Sequence, residues 1–415
     1  MGPAGLPKAF TFGNPYSDQY QTADNLEIRK KPALSQDALI QCVLQLSASP
    51  LGADHALSTV FDLDQECPHR SSLSKARKKV SPNFFRDQLV KLSSFFEENR
   101  STYGGLGLYA IDGHHLTLPC TPNLLERGYV GRSLENGNET YTLRAYVGHC
   151  CNLLTRTTTA VTWNQGLNEH RDRSKLLASV PDNSLVIYDR LYFSGDLLQD
   201  HLARHKVYFL ARCRSNAAAE ITAFFQSDHE SQKTVTIWGS RLTLIKIKHP
   251  KTAEISVFVT NLPQSWLDPE RIANLYKMRW EIEIFQKDYM QSLHGEIWYS
   301  KSEDGILQEF YSKLWLLNAI HGLMYLCGEK IKGVDEKDYV KSNFRLCLNH
   351  VVRRIKDFFE TPTKIVIRLI KAIKRTKEKR RKNSRSYPRE IKRPQSKYTH
   401  NNTVPSSTRS PPKKA

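Results

Sequence analysis

Between residues 106 and 215 the sequence passes through several strand-type segments and then alternates strands with helices. LGLYAIDGHHLTLP, TYTLRAYVGHC and NLLTRTTTAVTW have the apolar and β-branched character of strands, and the first contains a predicted turn at Asp112-Gly113. SLVIYDR and KVYFLARCR are short apolar strands separated by the helical segment SGDLLQDHLARH. This order predicts an α/β fold with a mixed central sheet flanked by helices.

The segments on either side of this core have a different pattern. Helical spacing begins at Ser35, a plausible N-cap, and continues to about residue 100. The segment SSLSKARKKV is basic, which suits either a solvated helix face or a DNA contact. TVTIWGS, RLTLIKIKH and EISVFVTNL are alternating strand-type segments. A long helix then begins at Asp268, with Pro269 at its first position.

These patterns divide the chain into six parts. We predict a flexible N-terminus (1–30), a helical DNA-binding region (31–100), a catalytic core (101–215 and 268–330), an inserted β subdomain (216–267), a C-terminal helical region (331–380) and a basic disordered tail (381–415). The apolar segment from Leu314 to Cys327 is too short to span a bilayer and is expected to be a buried helix.

The charge distribution points to a polyanionic partner. The formal net charge is +19 and the sequence pI about 9.5. Residues 351–415 hold 21 Lys and Arg against four Asp and Glu, so nearly all of the excess lies there. A basic end beside a nearly neutral body suits nucleic-acid binding, although a solvated tail has the same composition. Eight scattered cysteines without a CxxC pair, and no signal-type N-terminus, predict a cytoplasmic protein with no membrane partner and no structural zinc.

Three acidic residues stand out by their positions. Asp112 and Asp189 are each predicted to end a strand, and such carboxylates converge at one edge of a sheet. Glu283 lies in the long helix. At 100° per residue, one face of that helix presents polar side chains and Met290, and the other is apolar. The first face carries Tyr276, Arg279, Glu283, Lys287 and Met290.

The chemistry of these side chains suits phosphoryl transfer. Carboxylate oxygens are ligands for Mg²⁺ or Mn²⁺, and two such ions can serve both the attacking and the leaving oxygen. Arg279 and Lys287 would neutralise phosphates, Tyr276 could donate to one, and Trp280 could stack on an unpaired base. Arg190 could contact DNA or orient Asp189. Taken singly, each acid also fits a structural role in a turn, a surface pair or an i,i+4 pair.

Three blocks resemble the cut-and-paste transposases of bacterial insertion sequences, in the "insertion sequence four" branch of the Asp-Asp-Glu class. YAIDGHHLTLP resembles the block around the first Asp of that family, and LVIYDRLYFSGDLL resembles the second. TNLPQSWLDPERIANLYKMRWEIE resembles the third, whose signature is Tyr, two residues, Arg, three residues, Glu, six residues, Lys. The likeness covers about residues 70–330.

The resemblance implies a ribonuclease-H-like core with Asp112, Asp189 and Glu283 as metal-binding catalytic residues. It implies double-stranded DNA as the partner, two Mg²⁺ or Mn²⁺ ions, a homodimer on DNA, hairpin ends as intermediates and a bacterial, nucleoid-associated location. Met290 occupies the Lys position of the signature, and Lys287 lies one turn earlier on the same face. Two alternatives remain open, namely another ribonuclease-H-like nuclease and a DNA-binding relative that is inactive or domesticated.

Overall fold

The computed structural model describes residues 6–20, 34–61, 66–133, 139–165, 172–227, 230–248, 254–328 and 340–379. Its helices are α1 (Leu6–Ala9), α2 (Gln36–Ala48), α3 (Ala53–Val60), α4 (Arg70–Lys78), α5 (Asn83–Glu98), α6 (Pro122–Glu126), α7 (Arg173–Ala178), α8 (Gly195–Leu202), α9 (Ala219–Gln226), α10 (Pro269–Met278), α11 (Trp280–Ser292), α12 (Glu303–Leu326), α13 (Phe344–Val352), α14 (Asp357–Glu360) and α15 (Pro362–Arg375). Its strands are β1 (Gly107–Pro119), β2 (Gly131–Ser133), β3 (Glu139–Asn152), β4 (Thr157–Asn164), β5 (Ser184–Tyr188), β6 (Val207–Arg212), β7 (Gln232–Ile237), β8 (Ser240–Lys248), β9 (Ile255–Thr260), β10 (Val340–Ser342) and β11 (Lys377–Lys379).

Within these residues, β1–β9 form one mixed sheet. Its central part has the order β4-β3-β1-β5-β6, in which β4, β3 and β1 are antiparallel and β1, β5 and β6 are parallel. The connections between β4, β5 and β6 contain α7 and α8, and further helices flank the sheet. The predicted α/β, ribonuclease-H-like fold with helical regions before and after it is confirmed.

The segment 216–267 contributes α9 and strands β7–β9. Strand β9 pairs antiparallel with β6, and β8 and β7 follow outward, so this segment extends the central sheet. Its position in the chain places it between Asp189 and Glu283.

The predicted turn at Asp112-Gly113 is wrong, because β1 runs unbroken through both residues. Asp112 lies opposite His149 on β3, and Gly113 lies opposite Gly148. A Cβ atom on Gly113 would lie 1.8 Å from Oη of Tyr146, so glycine serves here to admit the tyrosine ring. The pair Asp-Gly is a local turn signal, and tertiary packing overrides it.

The N-terminal segment is also corrected in part. Residues 6–20 belong to the predicted flexible N-terminus, yet Phe10 is fully buried, with its ring 5.5 Å from that of Phe358 and 5.9 Å from that of Trp315. Burying an aromatic side chain is among the larger stabilising contributions in a core, which explains why this short segment packs. Residues 1–5 and 21–30 of that prediction, and the tail 381–415, lie outside the described residues.

Helix α12 lies at the centre of the helical part and is buried on all sides. The Asn318 side chain accepts a hydrogen bond from the backbone N–H of Thr158 and donates to its carbonyl, at 2.8 and 2.9 Å, so it fixes β4 to the helix. From α4, Arg77 pairs with Glu309 at 2.8 Å, and their side chains are 9% and 0% exposed. Arg77 is therefore neither a solvated nor a DNA-facing residue. None of the described helices combines the length and apolar character needed to cross a membrane.

Candidate active site

The two aspartates lie at the same level on neighbouring strands. Strands β1 and β5 are parallel, with Ala110 opposite Ile187. Asp112 is two residues beyond Ala110, and Asp189 is two residues beyond Ile187, just after β5 ends at Tyr188. The register therefore places both carboxylates side by side on adjacent strands, at the point where β5 ends and β1 continues. Asp189 ends its strand as predicted, whereas Asp112 lies within β1.

Asp112 is surrounded by charged groups. Its Oδ1 accepts a hydrogen bond from the backbone N–H of Gly113 at 2.9 Å. Burial raises the pKa of the Asp112 carboxyl to about 6. The negative charges of Asp189 and Glu283 act in the same direction, whereas the Arg279 guanidinium opposes it. Asp189 and Glu283 are thus close enough for their charges to act on the Asp112 carboxyl.

Asp189 is linked to the helix that follows the β insertion. Its Oδ1 accepts hydrogen bonds from the backbone N–H of Arg190 at 2.7 Å and from Oη of Tyr276 at 3.5 Å. Burial raises the pKa of Tyr276 to about 12, so its hydroxyl stays protonated at neutral pH and can donate.

Arg279 lies where the predicted single helix breaks into α10 and α11. It is the residue between the end of α10 at Met278 and the start of α11 at Trp280, and its own φ of −51° and ψ of −31° are helical. Its Nη2 donates to Oε1 of Glu283 at 2.6 Å, and its guanidinium lies 5.8 Å from the centre of the Tyr276 ring. Burial alone would lower the pKa of Arg279, but the hydrogen bond to Glu283 and nearby charges raise it. Glu283 pairs with this residue rather than with Lys287.

Comparison with known sequences shows the family of this chain. The profile of the family described as "Transposase DDE domain" matches residues 110–319, about half of the chain. The chain belongs to the DDE transposase family. No curated protein matches it. It is similar to a solved structure described as the cryo-EM structure of piggyBac transposase synaptic complex with hairpin DNA. The TM-score is 0.48 and the identity 15%, over 89% of this chain and 85% of that chain.

Sequence reasoning missed one polar side chain in this DDE transposase. Nε2 of Gln286 donates to Oδ2 of Asp112 at 3.4 Å. Gln286 follows Glu283 by three residues on α11, so both lie on one helix face. That spacing was a signal in the sequence, but only the position of β1 shows which carboxylate it reaches. The bond ties the first aspartate to the helix that carries the glutamate.

The other predicted DNA-binding residues lie around this group. Trp280 is 49% exposed, and Arg190 and Lys287 are exposed. Exposed side chains of these types are available to a ligand, and none of them is needed to build the core. Met290, at the Lys position of the family resemblance, is partly buried, with its sulfur close to Gly295.

The donor set suits a hard divalent cation. Asp112, Asp189 and Glu283 supply carboxylate oxygens. Burial, with a smaller contribution from the other two acids, raises the pKa of Asp112, and a bound cation would lower it. In the described residues, however, no three His, Cys, Asp or Glu side chains lie close enough together to hold one ion. Oε1 of Glu283 accepts from Arg279, so a cation would bind through Oε2 or displace the guanidinium from Oε1.

Proposed function

We propose that this DDE transposase cleaves DNA at the ends of a bacterial insertion sequence and joins those ends to target DNA. The proposal assigns it to the "insertion sequence four" group. The observation that carries it is the approach of the helical residues Tyr276, Arg279 and Glu283 to the two aspartates, where β5 ends beside β1. An active site for phosphoryl transfer needs this combination of carboxylates and phosphate-binding donors.

The reaction comprises successive phosphoryl transfers at one site. A water oxygen attacks phosphorus at the element end, the bond to the 3′-oxygen breaks and a 3′-hydroxyl is left. That hydroxyl attacks phosphorus in the opposite strand and displaces the 3′-oxygen of the flanking DNA, which gives a hairpin end. A second water attacks the hairpin phosphorus and regenerates the 3′-hydroxyl of the element. This hydroxyl then attacks phosphorus in target DNA and displaces a 3′-oxygen of the target strand. Two Mg²⁺ or Mn²⁺ ions, when bound, lower the pKa of the attacking group and neutralise the leaving oxygen. Asp112, Asp189 and Glu283 would hold them.

The surrounding side chains would hold the DNA. Arg279 stays charged. Once a cation occupies the carboxylates, its guanidinium can leave Glu283 and bind a phosphate instead. Tyr276 stays protonated and can donate to Asp189 or to a phosphate oxygen. Exposed Arg190 and Lys287 would contact the backbone, and Trp280 would stack on an unpaired base.

The partner is double-stranded DNA, both at the element ends and at the target. Two protomers would each hold one element end, as a homodimer on DNA. We place the protein in the bacterial cytoplasm, at the nucleoid. Met290 leaves the Lys position of the signature without a cation, and Lys287 would take over its contact with phosphate.

A cleavage assay tests the proposal. Purified protein would be incubated with Mg²⁺ or Mn²⁺ and a labelled duplex carrying the ends of its own element, beside Asp189→Ala. We expect the wild type to nick the duplex, form hairpins and join ends to a target, and Asp189→Ala to bind without cutting. The matched control is Asp182→Ala, an acid whose side chain is 54% exposed, and this variant should cut normally.

Each alternative gives a different result in this assay. Cutting without joining would indicate another ribonuclease-H-like nuclease. Binding without cutting, by the wild type under either metal, would indicate an inactive or domesticated relative, and Met290→Lys would then be the next variant. Equal activity of Asp189→Ala and wild type would contradict the assigned site.

A further inference from the structure

Helix α15 carries a row of cations far along the chain from the acids of the candidate site. Lys364, Arg368, Lys371 and Arg375 are exposed and follow one another at intervals of four, three and four residues. At 100° and 1.5 Å per residue they fall within about 60° of one line and span roughly 16 Å. We call these four residues the α15 cation row.

The opposite face of α15 is apolar and already covered. Ile365, Val366, Leu369 and Ile373 are at most 1% exposed. Helix α15 packs against α12, α13, α14 and α1. A helix of this composition could otherwise lie on an anionic membrane, but that requires a free apolar face. The row is therefore a polar surface on a fixed helix.

The described part of the protein supplies no acidic partner for the charges of the row. Helix α15 contains no acidic residue, and none of the four cations pairs with a described acidic side chain. Four like charges held on one line repel one another, and a polyanion laid along them relieves this. The phosphates of a DNA strand advance about 3.4 Å per nucleotide, so the row spans about five of them.

We propose that the α15 cation row binds the DNA backbone without reading its sequence. The choice of DNA rests on the proposed function. The row would hold DNA outside the carboxylate site, through phosphate contacts that set position and affinity. This assigns part of the basic C-terminal charge to a defined surface.

The test uses the full chain and a random-sequence duplex in EDTA, so that cleavage does not interfere. Binding is measured from 50 to 300 mM salt for the wild type and for a variant with all four residues changed to Gln. Each lost phosphate contact reduces the slope of log K against log salt by about 0.9, so we expect a reduction of roughly 2 to 4. Affinity at the lower salt concentrations should fall by about tenfold or more. The circular dichroism spectrum should not change, because all four side chains are exposed.

The matched control removes the same charge from two lysines and two arginines that are also exposed and form no ion pair with a described acidic side chain, namely Lys206, Arg214, Arg241 and Lys301. The proposal is supported if the control keeps the slope of the wild type. It is overturned if the control loses as much as the row variant, since binding would then follow net charge. It is also overturned if the row variant binds like the wild type, or if the row responds to RNA or anionic vesicles but not to DNA.

Cleavage distinguishes this inference from the proposed function. A wild type that cuts while the row variant keeps its affinity would refute the row and leave the function standing. A row variant with a reduced slope, in a protein that does not cut, would support the row and refute the function.

Discussion

Breaking the buried ion pair between Arg156 and Glu281 by removing one partner should be among the most destabilising single changes in the core. Nε of Arg156 lies 2.6 Å from Oε2 of Glu281, and the side chains are 4% and 6% exposed. Arg156 occupies the turn between β3 and β4, and Glu281 occupies the first turn of α11, two residues before Glu283. The pair therefore joins the sheet to the helix that carries the candidate glutamate.

Removing one partner leaves the other charge buried. Arg156→Met or Glu281→Gln should lower the free energy of unfolding by about 3–5 kcal/mol. The double variant Arg156→Met/Glu281→Gln should lose much less than the sum of the two, because no charge is then stranded. Arg156 has a positive φ of 57°, and methionine meets the same backbone strain as arginine, so the comparison reports on the side chain.

Urea unfolding followed by circular dichroism measures these free energies. The control is Glu230→Gln, which breaks an exposed pair with Lys233 at 3.0 Å, with side chains 50% and 43% exposed. It should cost less than about 1 kcal/mol. The reasoning would be refuted if Arg156→Met and Glu281→Gln each lowered the free energy of unfolding by less than about 1 kcal/mol. It would also be refuted if the double variant lost the full sum of the two single losses.

Three further predictions concern the strand, the candidate site and acid stability. Gly113→Ala should cost about 1–3 kcal/mol in urea unfolding, since its Cβ would meet Tyr146, and much less in a Tyr146→Ala background. Arg279→Met should slow cleavage of labelled element ends by about a hundredfold with little loss of DNA binding, and an unchanged rate would exclude a role in the reaction. Burial lowers the pKa of His201 to about 4, below the ordinary 6.5 of the unfolded chain. Between these values only the unfolded chain takes up the proton, so His201 lowers the free energy of unfolding by up to about 1.4 kcal/mol per pH unit as pH falls. His201→Gln should flatten this dependence in unfolding curves at pH 7, 6 and 5, and identical slopes would contradict it.

The sequence carried the fold class because strand and helix periodicity are local properties. The short strand before Asp189 and the cap at Asp268 were both recognisable, and Asp268 does accept from the N–H of Arg271. The location of Asp112 inside a strand was not recognisable, because Asp112-Gly113 has the composition of a turn. Only the contact with Tyr146 shows why the strand needs a glycine there.

Other features depend on partners distant in sequence. The interruption between α10 and α11 at Arg279 is not signalled by a Gly or Pro in the sequence. The hydrogen bond from Gln286 depends on where β1 lies. Arg77 has the sequence context of a surface cation, because its partners lie on α12, more than 200 residues later. The burial of Phe10 likewise depends on a distant partner, the ring of Phe358. Pattern alone predicts which elements form, but not which of their polar residues face each other.

The bond between α4 and α12 also has a consequence for the order in which the newly made chain can fold. Arg77 donates a hydrogen bond to Gln308, 231 residues later in the chain, and forms an ion pair with the adjacent Glu309. At about 5–20 residues per second, a ribosome needs roughly ten to fifty seconds to make the intervening chain. During that time the N-terminal helices lack the helix that buries their apolar faces. Nascent chains of this protein should therefore depend on chaperones until α12 has left the ribosome.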